Sequence, residues 1–272
     1  MPPMTSHTSD THMRRMNLRL LIVSLTAFLS GVLLSALPAN QQWLISLNRM
    51  VSGIDPVWSF LTQFGEGGAA LLLLLVFTRF SRQGTALSLK CFLIGSLASP
   101  LLKSWFAHPR PLGVLEPGLI HTIGIPAAAA NAMPSGHSMT VVATVTLLCL
   151  CLPSGGKFKL LSLALILFAA LVALSRVMVG AHWPSDVIAG AGVGWLVVAV
   201  AREWEARHRW EPRLRTRVAQ ICLLLTELGL VTYLFMASTQ TPAERLAFDL
   251  IATVGIAGAF SRLRHLRQQS TP

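Results

Sequence analysis

His182 and Asp186 stand four residues apart in the run His182-Trp183-Pro184-Ser185-Asp186. Pro184 suits the first turn of a helix, which places Asp186 in that turn with its carboxylate reaching back toward the imidazole. A carboxylate on one ring nitrogen fixes the tautomer and raises the basicity of the other nitrogen. Such an imidazole is a good nucleophile toward phosphorus. Taken alone, the pair reads more simply as a capping aspartate beside a structural histidine.

Two further stretches change the balance. Pro134-Ser135-Gly136-His137 has the form of a helix start. Ser135 supplies a hydroxyl, Gly136 lets the backbone approach a ligand, and the exposed N–H groups and the helix dipole favour an oxyanion. A plain capping sequence with Ser135 as N-cap is the alternative. Lys103, Arg110 and Arg176 are cations in apolar surroundings, with Glu116 and Asp186 as the nearby acids in these segments. Unpaired charge at a membrane boundary is costly, so three cations with few acids point to an anionic ligand. Arginine forks match phosphate oxygens in pairs, and lysine acts as a point charge.

These residues must be positioned by elements suited to a bilayer. Apolar residues make up 53% of the chain and charged residues 12%, against about 25% charged in soluble domains. A membrane span needs about 20 mostly apolar residues. Candidate spans cover 18–38, 57–78, 85–102, 136–152, 160–178, 186–201, 218–236 and 246–261, with Glu66 inside the second and Lys90 inside the third. The run from Leu18 reads as a retained first span rather than a leader. With eight spans, 17 of the 22 Lys and Arg residues fall on one side and 5 on the other. The rich side is then cytoplasmic, and the net charge of +11 needs no nucleic-acid partner. Lys103, Arg110 and Arg176 belong to the poor side, at the same face as Ser135, His137, His182 and Asp186. Residues 40–54 place Trp43, Leu44, Leu47, Met50, Val51 and Ile54 at helical spacing, as a helix lying on the outer interface or as an ordinary loop. Cys91, Cys149, Cys151 and Cys222 all sit in apolar runs and read as small buried hydrophobes rather than a disulfide or zinc framework.

Lys103 and Arg110-Pro111, then Pro134-Ser135-Gly136-His137, then Ser175-Arg176 with His182 and Asp186 occur in order over residues 103–186. This arrangement resembles the type 2 phosphatidic acid phosphatase superfamily, which includes the vanadium haloperoxidases. The resemblance implies an all-α, polytopic transmembrane bundle with a six-span phosphatase core over 18–201. Around it the chain reads as an N-terminal cytoplasmic tail 1–17, a basic linker 202–217, two additional spans over 218–261 and a cytoplasmic tail 262–272. It also implies that His182 attacks phosphorus, Asp186 activates it, and His137 protonates the leaving oxygen and then serves as base for water. Lys103, Arg110, Ser135, Gly136 and Arg176 would hold the phosphoryl oxygens. No cofactor is expected. A metal on His137, His182 and Asp186 is the rival use, disfavoured by three neighbouring cations.

The reading that follows is a membrane lipid phosphatase forming a phosphohistidine, set in a bacterial inner membrane with its site on the periplasmic or extracellular face and both termini cytoplasmic. Its partners would be membrane lipids and a lipid phosphate substrate: undecaprenyl pyrophosphate, phosphatidylglycerol phosphate, phosphatidic acid or a lipid A phosphate. A lipid phosphotransferase using the same intermediate and a non-catalytic anionic-lipid transporter are the alternatives. His108 and His121 read as surface histidines, Trp105, Phe106 and Trp183 as lipid-path or interfacial residues, and Glu227 and Asp249 as packing or pairing groups within the last two spans.

Overall fold

A computed structural model of the chain describes residues 6–50, 53–81, 83–124, 130–153 and 155–268, with side chains from Arg14 onward. Val51, Arg82 and the outer parts of the tails 1–17 and 262–272 lie outside the described residues. Among those residues there is no strand. Eleven helices follow in order: α1 (Ser6–Ser35), α2 (Pro38–Arg49), α3 (Asp55–Thr62), α4 (Gly67–Thr78), α5 (Gly84–Phe106), α6 (Gly136–Cys151), α7 (Gly156–Met178), α8 (Pro184–Arg207), α9 (Glu211–Leu214), α10 (Arg217–Met236) and α11 (Pro242–Gln268).

Within this set α1, α5, α7, α8, α10 and α11 are long and apolar enough to cross a membrane. The second expected span is not straight. It is α3 and α4, bent by 65° around Gly65 and Glu66. Glu66 explains the break: its extended backbone ends one helix, and its carboxylate caps the next by accepting from Ala69 N at 2.7 Å. The fourth expected span is α6, apolar but shorter than the others. The protein is therefore an integral membrane protein with an all-helical bundle. Side chains such as Leu29, Leu33, Leu160 and Leu167 face outward, as lipid-facing residues do.

The most buried of the long helices is α8, and α1, α5, α6 and α7 pack around it. Leu74, Leu87, Met139, Leu147, Val193 and Val197 knit α4, α5, α6 and α8 into one core. The last two helices form a hairpin that lies against the core through both of them, where Leu72 and Val76 of α4 meet Val231 and Leu234 of α10 and Ile251 of α11. Glu227 is fully buried there and takes two hydrogen bonds from Arg262, at 2.6 and 3.0 Å. Asp249 pairs with Arg245 at 2.9 Å. Both acids are thus matched within the hairpin. Lys90 is also matched: its buried ammonium lies 2.7 Å from Glu205 and is flanked by the rings of Trp204 and Trp210. Of the cysteines only Cys91 is buried, and Cys222 is exposed on α10.

The segment expected at the interface is helical as α2, and its buried face mixes the apolar Leu44, Ile45 and Leu47 with two asparagines. Asn40 and Asn48 are buried beside Leu44, whereas Trp43 and Met50 are exposed. The reason is hydrogen bonding. Asn40 accepts from Ser185 N at 3.0 Å and donates to Ser185 Oγ at 2.9 Å. Asn48 donates to the carbonyls of His121 and Met178, each at 2.9 Å, and accepts from His121 N. This short helix braces the start of α8 and the end of α7, which are the elements that carry Arg176, His182 and Asp186.

Candidate active site

Pro184 is the first helical residue of α8, and the carboxylate of Asp186 accepts from the backbone N of Trp183 at 2.9 Å. That capping bond turns the carboxylate back toward His182, whose Nδ1 lies 3.2 Å from Oδ2. Both side chains are almost wholly buried. An ionised carboxylate can only accept, so Nδ1 of His182 carries the proton and Nε2 keeps its lone pair. Burial pushes the His182 imidazole down to about 4, against the upward pull of the Asp186 carboxylate. The ring is therefore neutral near pH 7 and can act as a nucleophile.

The second oxygen of Asp186 is also taken. His108 Nδ1 lies 3.1 Å from Oδ1, and its ring leans on Trp183 with centroids 6.4 Å apart. The expectation of a surface histidine fails here. His108 is only partly exposed, and its loop is clamped by Ala132 N donating to the His108 carbonyl at 2.8 Å. Trp183 is likewise neither a lipid-path nor a belt residue: it is buried and donates from Nε1 to the Pro109 carbonyl at 2.8 Å. Phe106 packs edge-on against Phe28, Trp105 is 85% exposed, and His121 pairs with Asp55 near the surface.

Ser135 caps α6 and is fully buried. Its Oγ accepts from Ser138 N at 3.4 Å and from Ser138 Oγ at 3.0 Å. The helix start is held against α8 by Ser135 N, which donates to the Asp186 carbonyl at 2.9 Å. Gly190 permits that approach, because a Cβ there would stand 2.5 Å from the Ser135 carbonyl oxygen. Next in the chain, Gly136 faces Lys103: a Cβ on it would be 3.9 Å from Nζ. His137 is half-buried and backs onto the α3–α4 bend, where a Cβ on Gly65 would meet His137 Cβ at 2.8 Å. The bend thus sets the position of this second imidazole.

Arg176 donates from Nη1 to Thr62 Oγ1 at the end of α3. Arg110 donates from Nη1 to the Ala181 carbonyl at 3.1 Å. In both guanidinium groups the Nε–H is buried and has no acceptor among the described residues. Buried donors are nearly always satisfied, so two unmatched N–H groups beside a lysine mark a place for an anion. Lys103, Arg110, Ser135, Gly136, His137, Arg176, His182 and Asp186 all lie at one end of the bundle, and the contacts above link them. The sequence did not single out His108, Thr62 or Gly65. His108 sits within the Lys103–Arg110 stretch and was visible there, but Thr62 and Gly65 carried no signal.

A sequence profile of the PAP2 superfamily matches residues 68–210, more than half of the chain. The chain belongs to the PAP2 superfamily. It is therefore an enzyme of the phosphoric-ester or diphosphate hydrolase class. An undecaprenyl-diphosphatase of Sulfolobus acidocaldarius is 31% identical over 157 residues, covering 57% of this chain and 69% of that protein. A lipid A 1-phosphatase of Rhizobium etli is 37% identical over 100 residues, 34% of this chain and 40% of its own length. Among solved structures, LpxE of Aquifex aeolicus superposes with a TM-score of 0.54 at 20% identity, over 62% of this chain and 97% of that one. A PAP2-type phosphatidylglycerolphosphate phosphatase of Bacillus subtilis gives 0.52 at 22% identity, over 69% and 98%. These neighbours share the PAP2 membrane fold, and this chain extends beyond what they cover.

Proposed function

We propose that this PAP2 protein is a lipid phosphatase that works through a phosphohistidine on His182, with Lys103, Arg110, Ser135, Gly136 and Arg176 holding the phosphoryl oxygens. The observation that carries the reading is the His182–Asp186 hydrogen bond, which leaves Nε2 free, set among guanidinium donors that lack an acceptor. In the first step Nε2 forms a bond to phosphorus as the bond from phosphorus to the lipid oxygen breaks. His137, protonated in the presence of the bound anion, gives its proton to that oxygen. In the second step neutral His137 takes a proton from water. The resulting hydroxide attacks phosphorus, the P–N bond breaks, and inorganic phosphate leaves with His182 restored. Charge on the phosphoryl oxygens is met at both steps by donors that are already oriented.

A lipid substrate is supported by a cavity of about 160 Å3. It begins at Ser99 and Gly136, beside the Lys103 ammonium, and runs between α4, α5 and α6 past Leu71, Phe92 and Met139. A phosphate at its polar end would have its tail along the apolar part. The class of substrate is a lipid phosphomonoester or diphosphate, such as undecaprenyl pyrophosphate or a lipid A phosphate. The cation-rich opposite end of the bundle supports a bacterial inner membrane setting with the site on the outer face.

The test is release of inorganic phosphate by purified protein from a panel of lipid phosphates and diphosphates, in EDTA. Turnover without an added acceptor, absent in His182→Ala, is expected. Release that needs a lipid acceptor would make the protein a transferase instead, and release by His182→Ala at the parent rate would remove the nucleophile.

A further inference from the structure

A cavity of about 680 Å3 lies at the end of the bundle opposite His182. Three segments build it: the turn after α4 with Arg79, Phe80 and Ser81, the stretch from Glu211 to Gln220 that leads into α10, and the last turns of α11 with Ser261, Arg262 and Arg264. It exists only where the C-terminal hairpin meets the six-span core. Nothing in the proposed chemistry uses it.

Its charges are unbalanced. Arg79, Arg215, Arg262 and Arg264 face Glu211 as the one carboxylate in the lining. Glu211 is already held by Arg209 at 3.0 Å and Arg215 at 2.7 Å. The buried Glu227 behind the wall is held by Arg262. Arg79 and Arg264 have no ion-pair partner among the described residues. Arg79 spends Nη1 on the Gly258 carbonyl at 2.7 Å, while its Nε–H is buried and lacks an acceptor among the described residues. Hydroxyls of Ser81, Thr85 and Ser261 add neutral donors.

Exposed aromatic rings lie under two of the arginines of the cavity. Arg79 stacks on Phe80 at 4.7 Å and Arg264 on Phe260 at 4.3 Å, and these rings are 83% and 53% exposed. Guanidinium groups above exposed aromatic rings, at the arginine-rich end of a membrane bundle, match a phosphate with acyl chains attached. Basic pockets between membrane helices on the cytoplasmic side bind anionic headgroups in this way.

We infer that this cavity is a second, non-catalytic site, which binds the phosphate of an anionic glycerophospholipid from the cytoplasmic leaflet. Arg79 and Arg264 meet the phosphate, Ser261 donates to it, and the chains leave past Phe80. A soluble organic phosphate shares the headgroup chemistry, and only the lipid has chains to lay on the rings.

The experiment is equilibrium binding to the full-length, delipidated protein in one detergent. Short-chain phosphatidylglycerol, phosphatidylcholine of the same chain length, and glycerol phosphate are compared. Phosphatidylglycerol should bind saturably and at least about tenfold tighter than the other two, and removing two arginines in Arg79→Gln/Arg264→Gln should weaken it about thirtyfold. Ser261→Glu, which leaves every arginine hydrogen bond in place and puts a negative charge in the cavity, should weaken it similarly. That variant decides the matter should the double variant fail to fold. Unchanged phosphatidylglycerol affinity in Ser261→Glu overturns the site, and glycerol phosphate binding as tightly as the lipid overturns the lipid assignment. Binding is read without turnover, so its failure is distinct from failure of the phosphatase reading.

Discussion

His108 Nδ1 and His182 Nδ1 hydrogen-bond to the two different oxygens of Asp186, at 3.1 and 3.2 Å. One buried carboxylate therefore orients two imidazoles, and each must present its N–H to it. His108 acts through Asp186 and is a positioning residue. Its loss leaves a buried oxygen short of one charge-assisted bond, each worth about 1.5–3 kcal/mol. His108→Ala should lower kcat by about ten- to a hundredfold with little change in KM, and His108→Gln, whose amide can donate, should recover part of it. It should also raise the pKa of His182, because the carboxylate then acts on one ring alone. An unchanged kcat and an unshifted His182 titration would show that the contact is idle.

The depressed pKa of His182 gives a pH dependence of definite sign. Burial favours the neutral ring, so its titration in the free protein should lie near 4 rather than near the usual 6.5. The lone pair is then available throughout the neutral range. Between those two values the unfolded chain binds more protons than the folded one, so His182 makes stability fall as pH drops from about 6.5 toward 4. NMR of ring-labelled protein, with the His182 signal assigned by its loss in His182→Ala, checks this. Asp186→Asn removes the upward pull and should shift the titration lower still; a midpoint at 6.5 or above contradicts the buried, carboxylate-held ring.

Gly65 and Gly190 separate position from packing. An alanine Cβ at 190 meets backbone, at 2.5 Å from the Ser135 carbonyl, which cannot move without shifting the start of α6. Gly190→Ala should cost about 1–3 kcal/mol of stability, as overpacking does, and lower activity with it. At position 65 the new Cβ meets His137, at 2.8 Å from its Cβ and 3.1 Å from its Cδ2 and its carbonyl oxygen. Gly65→Ala should therefore reduce kcat more than it reduces thermal stability. Equal losses of both in Gly65→Ala would deny the bend a role in placing His137.

How much of this was legible in the sequence follows from the range of each interaction. The His182–Asp186 pair and its helix start were readable because Pro184 and a spacing of four fix local geometry. Ser135 as an N-cap was readable for the same reason, although it serves the helix through Ser138 and holds a place at the site as well. The His108 bond to Asp186 spans 78 residues, and no local pattern announces it. Apolar spacing found Leu44 and Leu47 on the inner side of α2 but gave no sign of Asn40 and Asn48, which are buried by hydrogen bonds to segments more than 70 residues away. The second span looked continuous because α3 and α4 are both apolar. Glu66 was noticed inside it but not as a cap, although its bond to Ala69 N is local.

Lys90 offers a test of the fold apart from the site. Its ammonium is buried against Glu205, the His208 carbonyl and two tryptophan rings. Removing one member of a buried pair costs about 3–5 kcal/mol, whereas replacing both by apolar residues is often neutral. Lys90→Met should lower the melting temperature markedly, and Lys90→Met/Glu205→Leu should restore much of it. Loss in the double variant as large as the sum of the single losses would mean that the two groups are not coupled.

The central claim is a covalent bond between His182 Nε2 and phosphorus. It is tested most directly by rapid quench of the purified protein with a lipid phosphate labelled in its phosphoryl group, followed by peptide mapping. The account predicts acid-labile label on the peptide carrying His182, present during turnover and absent in His182→Ala. Turnover at full rate with no labelled protein, or label on another residue, would contradict it.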